Sequence, residues 1–396
     1  MSVRFLTAVS GRAFNMHDRF GREIDYMRIS VIDSCNLNCY YCNPQDNNKN
    51  CQAINILSVK KVLCIVRAAT RLGITHFRLT GGEPLLHPQI DEMVSQIKKI
   101  PGVRSVSLTT NAVLLAQHAK QLKEAGIDSI NVSLDTIDAS EYEHITKKPL
   151  LDKVEHGIDA AIECGIRVKI NVVLTPQTDV VALTRYASKK GTDIRFIEMM
   201  PVGEGHTNGV EPYKKVIGAL LEVYGTPCHI DTEKREKINS GYNKNKEKLQ
   251  AQESTQTYVG YNNADNGPAE YYSFHGLDIR VGLIQAIHGK FCDTCNRIRV
   301  TADGRLMPCL GSSVTMDLVP DSCDNIDDVE NDLVIAQALG AAIKAKPRCH
   351  YFDDKAVTYT KTTETKTTEI KTTETKITEI KAAKVNAARN MSRIGG

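Results

Sequence analysis

The sequence predicts an α/β fold, a partial (β/α)6 barrel of the TIM type that is open on one side. From Asp25 onward, short runs rich in Val, Ile, Thr and Phe alternate with longer helical segments. Six strand–helix repeats in series require a parallel sheet with right-handed crossovers, and six rather than eight indicate an incomplete barrel with its chemistry at the C-terminal strand ends. A doubly wound open sheet is the alternative, although three cysteines, and no G-x-G-x-x-G motif, follow the first strand.

The individual elements are predicted from residue type and from the residues that end each helix. β-Branched and aromatic residues indicate strands at 26–32, 75–80, 104–109, 128–134, 167–174 and 193–198. The predicted helices lie between them, at 58–72, 88–100, 114–125, 151–164 and about 179–190. Four of these helices precede a glycine, the usual C-terminal cap, namely Gly73, Gly126, Gly165 and Gly191.

Composition excludes several classes of protein. The chain has 396 residues, 41% of them hydrophobic and 24% charged, as in globular proteins with a sizeable core. A net charge of +3 is too small to indicate a nucleic-acid or membrane-surface partner. We find no signal-peptide core and no apolar run of membrane-spanning length, and we expect the twelve cysteines to be reduced. These observations predict a cytoplasmic protein.

Two polar stretches divide the chain. Residues 231–266 are dense in Lys, Glu, Gln and Asn, which predicts a flexible surface insertion, and 351–386 contain threonine-rich pentapeptides typical of a low-complexity tether. The predicted organisation is therefore a barrel at 15–230, the insertion, an ordered region with a second group of cysteines at 267–350, the tether, and a tail at 387–396.

The first cysteine set, Cys35, Cys39 and Cys42, has the spacing C-x-x-x-C-x-x-C directly after the first predicted strand. Soft thiolates this close together favour zinc, copper(I) or an iron–sulfur cluster. Three protein ligands leave one coordination position for another molecule, because zinc knots and four-iron clusters usually take four. A structural zinc site with Cys51 as the fourth ligand is the alternative.

The second cysteine set consists of Cys292, Cys295 and Cys309, again three thiols. It predicts a second four-iron cluster with an open iron, and a zinc ribbon completed by Cys323 or His288 is the alternative. If this segment is extended, Arg297 and Arg299 project to one face, where paired guanidinium groups suit phosphate oxygens. Two ordinary surface arginines are the alternative.

The motifs together resemble a known family. The first cysteine set, with Tyr41 before its third cysteine, is similar to the cluster signature of radical S-adenosylmethionine (SAM) enzymes, and Gly81-Gly82-Glu83-Pro84 is similar to their glycine motif. Adjacent glycines allow close approach of a ligand, and the carboxylate suits an ammonium group. The resemblance narrows to the GTP 3′,8-cyclase family of molybdenum cofactor biosynthesis through Y-M-R-I-S at 26–30, N-V-S-L-D-T at 131–136, F-C-D-T-C-N-R-I-R at 291–299 and a C-terminal Gly-Gly.

This resemblance implies the cofactors and the residues that hold them. It implies two [4Fe-4S] clusters, the first bound by Cys35, Cys39 and Cys42 together with SAM, and the second bound by Cys292, Cys295 and Cys309 together with the substrate guanine. It implies SAM contacts from Tyr41, Gly82, Ser133 and Met200. It implies GTP contacts from Arg28, Arg78, Thr109, Lys169, Arg297, Ile298 and Arg299. It also implies that the tail residues Gly395 and Gly396 reach the active site.

The activity implied by the resemblance is the conversion of GTP to 3′,8-cyclo-7,8-dihydro-GTP by a 5′-deoxyadenosyl radical derived from SAM. The implied partners are an electron donor of the flavodoxin or ferredoxin type and a downstream cyclic pyranopterin monophosphate synthase, and a homodimer is possible. The rival functions are a peptide-modifying radical SAM maturase with auxiliary clusters and a zinc-stabilised binding protein without catalysis.

Overall fold

The computed structural model describes residues 16–42, 54–201, 209–229, 267–312, 315–318 and 329–350. The predicted insertion at 231–266, the tether at 351–386 and the tail with Gly395 and Gly396 lie outside the described residues. Among the helices of the described ranges, none is long and apolar enough to cross a membrane.

Six parallel strands form the centre of one sheet, in the order in which they occur in the chain. Each lies within a predicted strand or extends it by one residue, so the predicted partial barrel is confirmed. The strands are β1 (Tyr26–Ser30), β2 (His76–Thr80), β3 (Ser105–Thr110), β4 (Ser129–Ser133), β5 (Arg167–Val173) and β6 (Asp193–Ile197).

Helices connect these strands, and five of them match the predicted ones. Gly73, Gly126, Gly165 and Gly191 all have positive φ angles of 64° to 89°, which confirms the predicted left-handed residue after four helices. A further short helix was not predicted, because its eight residues follow a capping aspartate with little apolar periodicity. The helices are α1 (Val59–Arg71), α2 (Ile90–Lys98), α3 (Leu115–Glu124), α4 (Ala139–Thr146), α5 (Leu151–Glu163) and α6 (Val180–Lys189).

The C-terminal region continues the same sheet on both sides, which the sequence did not predict. One strand pairs in parallel with β1 and another with β6, and antiparallel strands follow at each edge. These strands have two to four residues, too few for a period to be recognised. They are β7 (Cys228–His229), β8 (Glu270–Ser273), β9 (Val281–Ile284), β10 (Arg297–Val300), β11 (Arg305–Met307) and β12 (Met316–Asp317), with helices α7 (Gly218–Tyr224) and α8 (Val329–Ala345).

The two faces of the central sheet differ in polarity. Side chains such as Met27, Ile29 and Phe77 are completely buried in the apolar core on the helix side. The alternate residues, among them Arg28 and Arg78, line a cavity inside the barrel. Strands of a parallel sheet that is covered on both faces are usually apolar throughout. The polar inner face therefore indicates that the interior is a binding site and not a packed core.

Candidate active site

The cavity has a volume of about 630 Å³, and both cysteine sets lie in its wall. The first set follows the C-terminal end of β1. The second set belongs to the opposite end, because β10 is parallel to β1 with Arg297 paired to Tyr26, and Cys295 precedes Arg297. The five residues of β1 separate the two ends by roughly 17 Å. A molecule in the cavity therefore lies between two groups of thiols.

The first cysteine set fits a bound metal cluster. Burial raises the pKa of Cys35 to about 11 and that of Cys42 to about 12, and nearby Asp135 adds to the rise at Cys42. Three thiolates are therefore unfavourable here unless bound cationic metal compensates them. Within the described ranges, no three Cys, His, Asp or Glu side chains converge closely enough for a single metal ion. In a four-iron cluster each thiolate binds a different iron, so the thiols need not converge on one atom.

The adjacent glycines 81 and 82 pack against the loop that carries the first cysteine set. A Cβ atom on Gly82 would lie 2.1 Å from the carbonyl oxygen of Ser34, and one on Gly81 would lie 2.3 Å from that of Ile32. The Gly82 amide donates to Ile32 O at 2.7 Å, and the Glu83 amide donates to Ser34 O at 2.8 Å. We expected the absence of side chains at these glycines to allow a ligand to approach closely. In the structure it allows the backbone of the cysteine loop to approach closely.

The carboxylate of Glu83 has a role that the sequence did not predict. Its Oε1 accepts hydrogen bonds from Leu85 N at 3.0 Å and from Thr110 Oγ1 at 2.7 Å, and its Oε2 accepts from Asn111 N at 2.7 Å. The residue is 1% exposed, and burial raises its pKa to about 7. The side chain braces the end of β3 against the glycine motif, so the expectation that it accepts from a ligand ammonium group is not supported.

The four residues predicted to bind SAM all line the cavity beside the first cysteine set; they are Tyr41, Gly82, Ser133 and Met200. Tyr41 donates to Asp135 Oδ2 at 2.5 Å, and Asp135 Oδ1 accepts from Val173 N at 2.8 Å. Asp135 was not predicted as a site residue, although it belongs to the quoted N-V-S-L-D-T motif. Asn111 was also missed, and it donates to Asn36 Oδ1 within the cysteine loop at 2.7 Å.

Five of the seven residues predicted to bind GTP line the cavity, namely Arg28, Arg78, Thr109, Arg297 and Arg299. Lys169 is 2% exposed and is not among the lining residues. It lies on the same face of β5 as Arg167 and Asn171, and both of these residues line the cavity. The side chain of Ile298 is different: it is 1% exposed and belongs to the apolar core. Strand alternation turns it away from Arg297 and Arg299, so only its backbone can face a nucleotide.

The cavity has a strong excess of positive charge. Strand register places Arg299, Arg28 and Arg78 side by side on β10, β1 and β2. Burial lowers the pKa of Arg299 to about 10, and burial together with Arg299 lowers that of Arg28 well below its usual value. Among the lining residues that the structure describes, Asp128 is the one carboxylate. Such a cavity suits a polyanion.

Three buried polar atoms on described residues of the cavity have no hydrogen-bond partner in the described structure. Within the described part of the chain, Nε of Arg78, one terminal nitrogen of Arg195 and Oγ1 of Thr109 are buried without a hydrogen-bond partner. Arg195 was not predicted, and its Nε donates to Asn171 Oδ1 at 2.9 Å. Buried donors without partners are costly, so these atoms also favour an anionic ligand.

In the described structure, cations lie close to the second cysteine set. The ammonium group of Lys346, a residue 2% exposed, donates to Arg297 O at 2.7 Å and to Pro308 O at 3.0 Å. Lys346 and Arg297 hold the pKa of Cys295 below its usual value although burial acts in the opposite direction. Lys346 was missed, because one lysine after a helix gives no sequence signal.

Of the three fourth ligands considered for zinc, His288 alone lies among the described residues. Nδ1 of His288 contacts Oε1 of Glu198. Cys51 and Cys323 lie outside the described residues.

Two family models match the chain. That of the Radical SAM superfamily matches residues 29–183, and that of Molybdenum Cofactor Synthesis C matches residues 228–352. Among solved structures, Streptococcus suis SuiB bound to S-adenosylmethionine superimposes with a TM-score of 0.52 at 14% identity, over 79% of this chain and 68% of that chain. At that identity the similarity shows the fold alone.

Curated relatives cover most of the chain. A GTP 3′,8-cyclase of Clostridium perfringens strain SM101 is 34% identical over 344 residues, which are 86% of this chain and 96% of the relative. A GTP 3′,8-cyclase of Thermodesulfovibrio yellowstonii is 37% identical over 308 residues, 76% of this chain and 87% of the relative. Together with the two matched family models, this level of identity and coverage shows that the chain belongs to the GTP 3′,8-cyclase family of radical SAM enzymes.

Proposed function

We propose that this protein converts GTP to 3′,8-cyclo-7,8-dihydro-GTP, the first step of molybdenum cofactor biosynthesis. The observation that carries the proposal is the cavity itself, which places a row of arginines between two sets of thiols. A nucleoside triphosphate supplies the negative charge that this row requires. The cavity volume of about 630 Å³ lies within the range of small-molecule sites.

A radical SAM enzyme uses one [4Fe-4S] cluster and SAM, and Cys35, Cys39 and Cys42 would hold that cluster here. When bound and reduced, the cluster supplies the electron that releases a 5′-deoxyadenosyl radical from SAM. The chain fixes the geometry around this group. Gly82 locks the cysteine loop to the end of β2, and Asp135 holds the Tyr41 hydroxyl in place. The proposed SAM contacts are Tyr41, Gly82, Ser133 and Met200.

The substrate would occupy the space towards the other end of β1. Arg28, Arg78, Arg297 and Arg299 would bind the triphosphate, with Thr109, Lys169 and Arg195 supplying further donors. Cys292, Cys295 and Cys309 would hold a second [4Fe-4S] cluster whose open iron meets the guanine base. Lys346 is suited to this second set because its buried positive charge lies beside the thiols.

The overall reaction transfers one hydrogen atom and forms one carbon–carbon bond. The hydrogen of ribose carbon 3 passes to the deoxyadenosyl group, carbon 3 bonds to carbon 8 of guanine, and one electron and one proton complete the reduction. The interior of the partial barrel would support this chemistry by holding carbon 3 in attack geometry and by limiting the access of solvent to the radical.

The proposal extends to partners and to segments outside the described residues. An external donor of the flavodoxin or ferredoxin type would supply electrons, and a separate cyclic pyranopterin monophosphate synthase would consume the product. We also propose a cytoplasmic location, a homodimer, and entry of Gly395 and Gly396 into the active site. His350 supports the last point, since it lines the cavity and precedes the segment that carries the tail.

The test is an anaerobic assay of the reconstituted protein with dithionite, SAM and GTP, in which 5′-deoxyadenosine is measured by chromatography. We expect its formation to depend on GTP and to include deuterium from GTP labelled at ribose carbon 3. SAM cleavage at the same rate with and without GTP would exclude GTP as the substrate. It would favour the alternative function, a peptide-modifying maturase. Absence of SAM cleavage in a protein that contains only zinc would refute the radical mechanism.

A further inference from the structure

Tyr26 lies on β1, the middle of the three strands that form the positively charged wall. Strand register places Arg297 and His76 on either side of it, and Arg299, Arg28 and Arg78 form the adjacent row. Of these six positions, Tyr26 is the one that carries neither a guanidinium nor an imidazole group. It lines the cavity together with the other five.

The Tyr26 ring contacts its cationic neighbours directly. The guanidinium carbons of Arg78 and Arg297 each lie 5.8 Å from the ring centroid, within the range of cation–π contacts. The ring also stacks on His76, with centroids 6.5 Å apart and an interplanar angle of 20°. His76 in turn is fixed through Nδ1, which lies 2.7 Å from Ser105 Oγ.

These contacts give the ring a physical role. Guanidinium groups that are buried close together repel one another, and their mutual repulsion disfavours a fixed arrangement. An aromatic face attracts cations and also keeps them apart. The pKa of Tyr26 is lowered although burial acts to raise it, because Arg78, Arg28 and Arg297 impose their positive field on its hydroxyl.

We propose that Tyr26 is a positioning residue that holds Arg78 and Arg297 at the separation required to bind a triphosphate. The proposal rests on the proposed function, since it assumes that a nucleoside triphosphate occupies this wall. The ring acts through the two arginines and does not itself need to touch the substrate. The hydroxyl is not required, because both cation contacts are made with the ring.

The test compares Tyr26→Leu, which removes the ring, with Tyr26→Phe, which retains it. Anaerobically reconstituted full-length proteins are titrated with GTP and, separately, with inorganic tripolyphosphate, and dissociation constants are measured by equilibrium dialysis. Tyr186→Leu is the matched control, because the Lys190 ammonium lies 5.5 Å above the Tyr186 ring outside the cavity. Thermal unfolding and SAM binding verify the fold, and Tyr26→Met replaces the leucine variant if that variant does not fold.

We expect Tyr26→Leu to weaken GTP and tripolyphosphate binding by about tenfold, since two cation–π contacts are lost. Tyr26→Phe and Tyr186→Leu should bind like the unmodified protein. In turnover assays the loss should appear mainly as a higher KM for GTP. Unchanged affinity in Tyr26→Leu would overturn the proposal, as would equal weakening in Tyr26→Phe.

Failure of the proposed function gives a different result. If the unmodified protein binds tripolyphosphate but not GTP, GTP is the wrong substrate, and the comparison of Tyr26 variants with tripolyphosphate still decides the role of the ring. If it binds neither anion, both proposals are refuted.

Discussion

The Arg22 guanidinium donates a 2.7 Å hydrogen bond to the carbonyl oxygen of Cys292, 270 residues further along the chain. The same side chain donates to Pro347 O at 2.6 Å and to Arg348 O at 3.0 Å, and it pairs with Asp18 at 2.6 Å. Arg22 is only 7% exposed. It therefore joins the segment before β1 to the second cysteine set and to the segment that follows α8.

Loss of this side chain should affect the second cysteine set selectively. In Arg22→Met we expect iron and sulfide to fall from about eight to about four atoms of each per chain, because one cluster is no longer retained. Arg19→Met, which changes an exposed arginine nearby, is the control and should keep the full content. Metal and sulfide analysis after anaerobic reconstitution measures both. Full occupancy in Arg22→Met would show that the anchor is dispensable.

Gly82→Ala should displace the loop of the first cysteine set. The added methyl group would lie 2.1 Å from Ser34 O, a distance that forces the backbone to move. We expect loss of the first cluster and of SAM cleavage, with the second cluster retained. Gly218→Ala has no atom within 4 Å of the new methyl group and should be neutral. Electron paramagnetic resonance of the reduced proteins separates the two clusters, and a wild-type spectrum for Gly82→Ala would contradict the prediction.

GTP binding should take up a proton at Lys169. Burial, together with the positive charge of Arg195, lowers the pKa of this lysine to about 6, so its amine is mostly neutral in the free protein at pH 8. A bound triphosphate favours the ammonium form and raises the pKa. Between pH 6 and the raised pKa, affinity should fall as pH rises, by up to roughly tenfold per unit.

Calorimetric titrations at pH 8 in buffers of different ionisation enthalpy measure this uptake. About one proton should be taken up by the unmodified protein and by Lys153→Met, which changes an exposed lysine of α5. Lys169→Met should take up none. The same uptake in Lys169→Met would assign the proton to another group.

Tyr41→Phe should lower the free energy of unfolding of the apoprotein while leaving the three cysteines of the first set in place. It removes the donor to Asp135 Oδ2 and leaves a partly buried carboxylate oxygen unsatisfied, at a cost of about 1–2 kcal/mol. Tyr40→Phe alters an exposed neighbour, 40% accessible, and should cost little. Denaturant unfolding of the apoprotein compares them. Equal stability of the two variants would mean that the Tyr41–Asp135 hydrogen bond contributes nothing.

The central sheet was predictable because its signals are local. Each strand of β1–β6 is a short β-branched run, and glycines with positive φ follow four of the helices. Strands β7, β8, β9, β11 and β12 and helices α4, α7 and α8 were not predicted. These strands are short, and some depend on a neighbour that is distant in sequence, as when β9 pairs with β6.

The candidate site was predictable where a motif carried it. Both cysteine sets, Tyr41 and the arginines of β1, β2 and β10 were identified, and they line one cavity. Arg195 and Lys346 were missed, since a single charged residue has no distinctive pattern. Asp135 was missed although it lies within the N-V-S-L-D-T motif. For Glu83 we expected a carboxylate that accepts from a ligand ammonium group. The neighbouring sequence does not show that the side chain points towards Leu85, Thr110 and Asn111.

The sequence by itself determined the kinds of chemistry available: two groups of thiols, a glycine motif and a surplus of cations among strand residues. Tertiary structure alone decided where these groups stand. Parallel pairing of β10 with β1 places the two cysteine sets at opposite ends of one strand, and strand register makes a row of Arg299, Arg28 and Arg78. The reason is physical, because thiol chemistry and charge belong to individual residues, whereas separation and alignment arise from hydrogen bonds between strands that lie far apart in the chain.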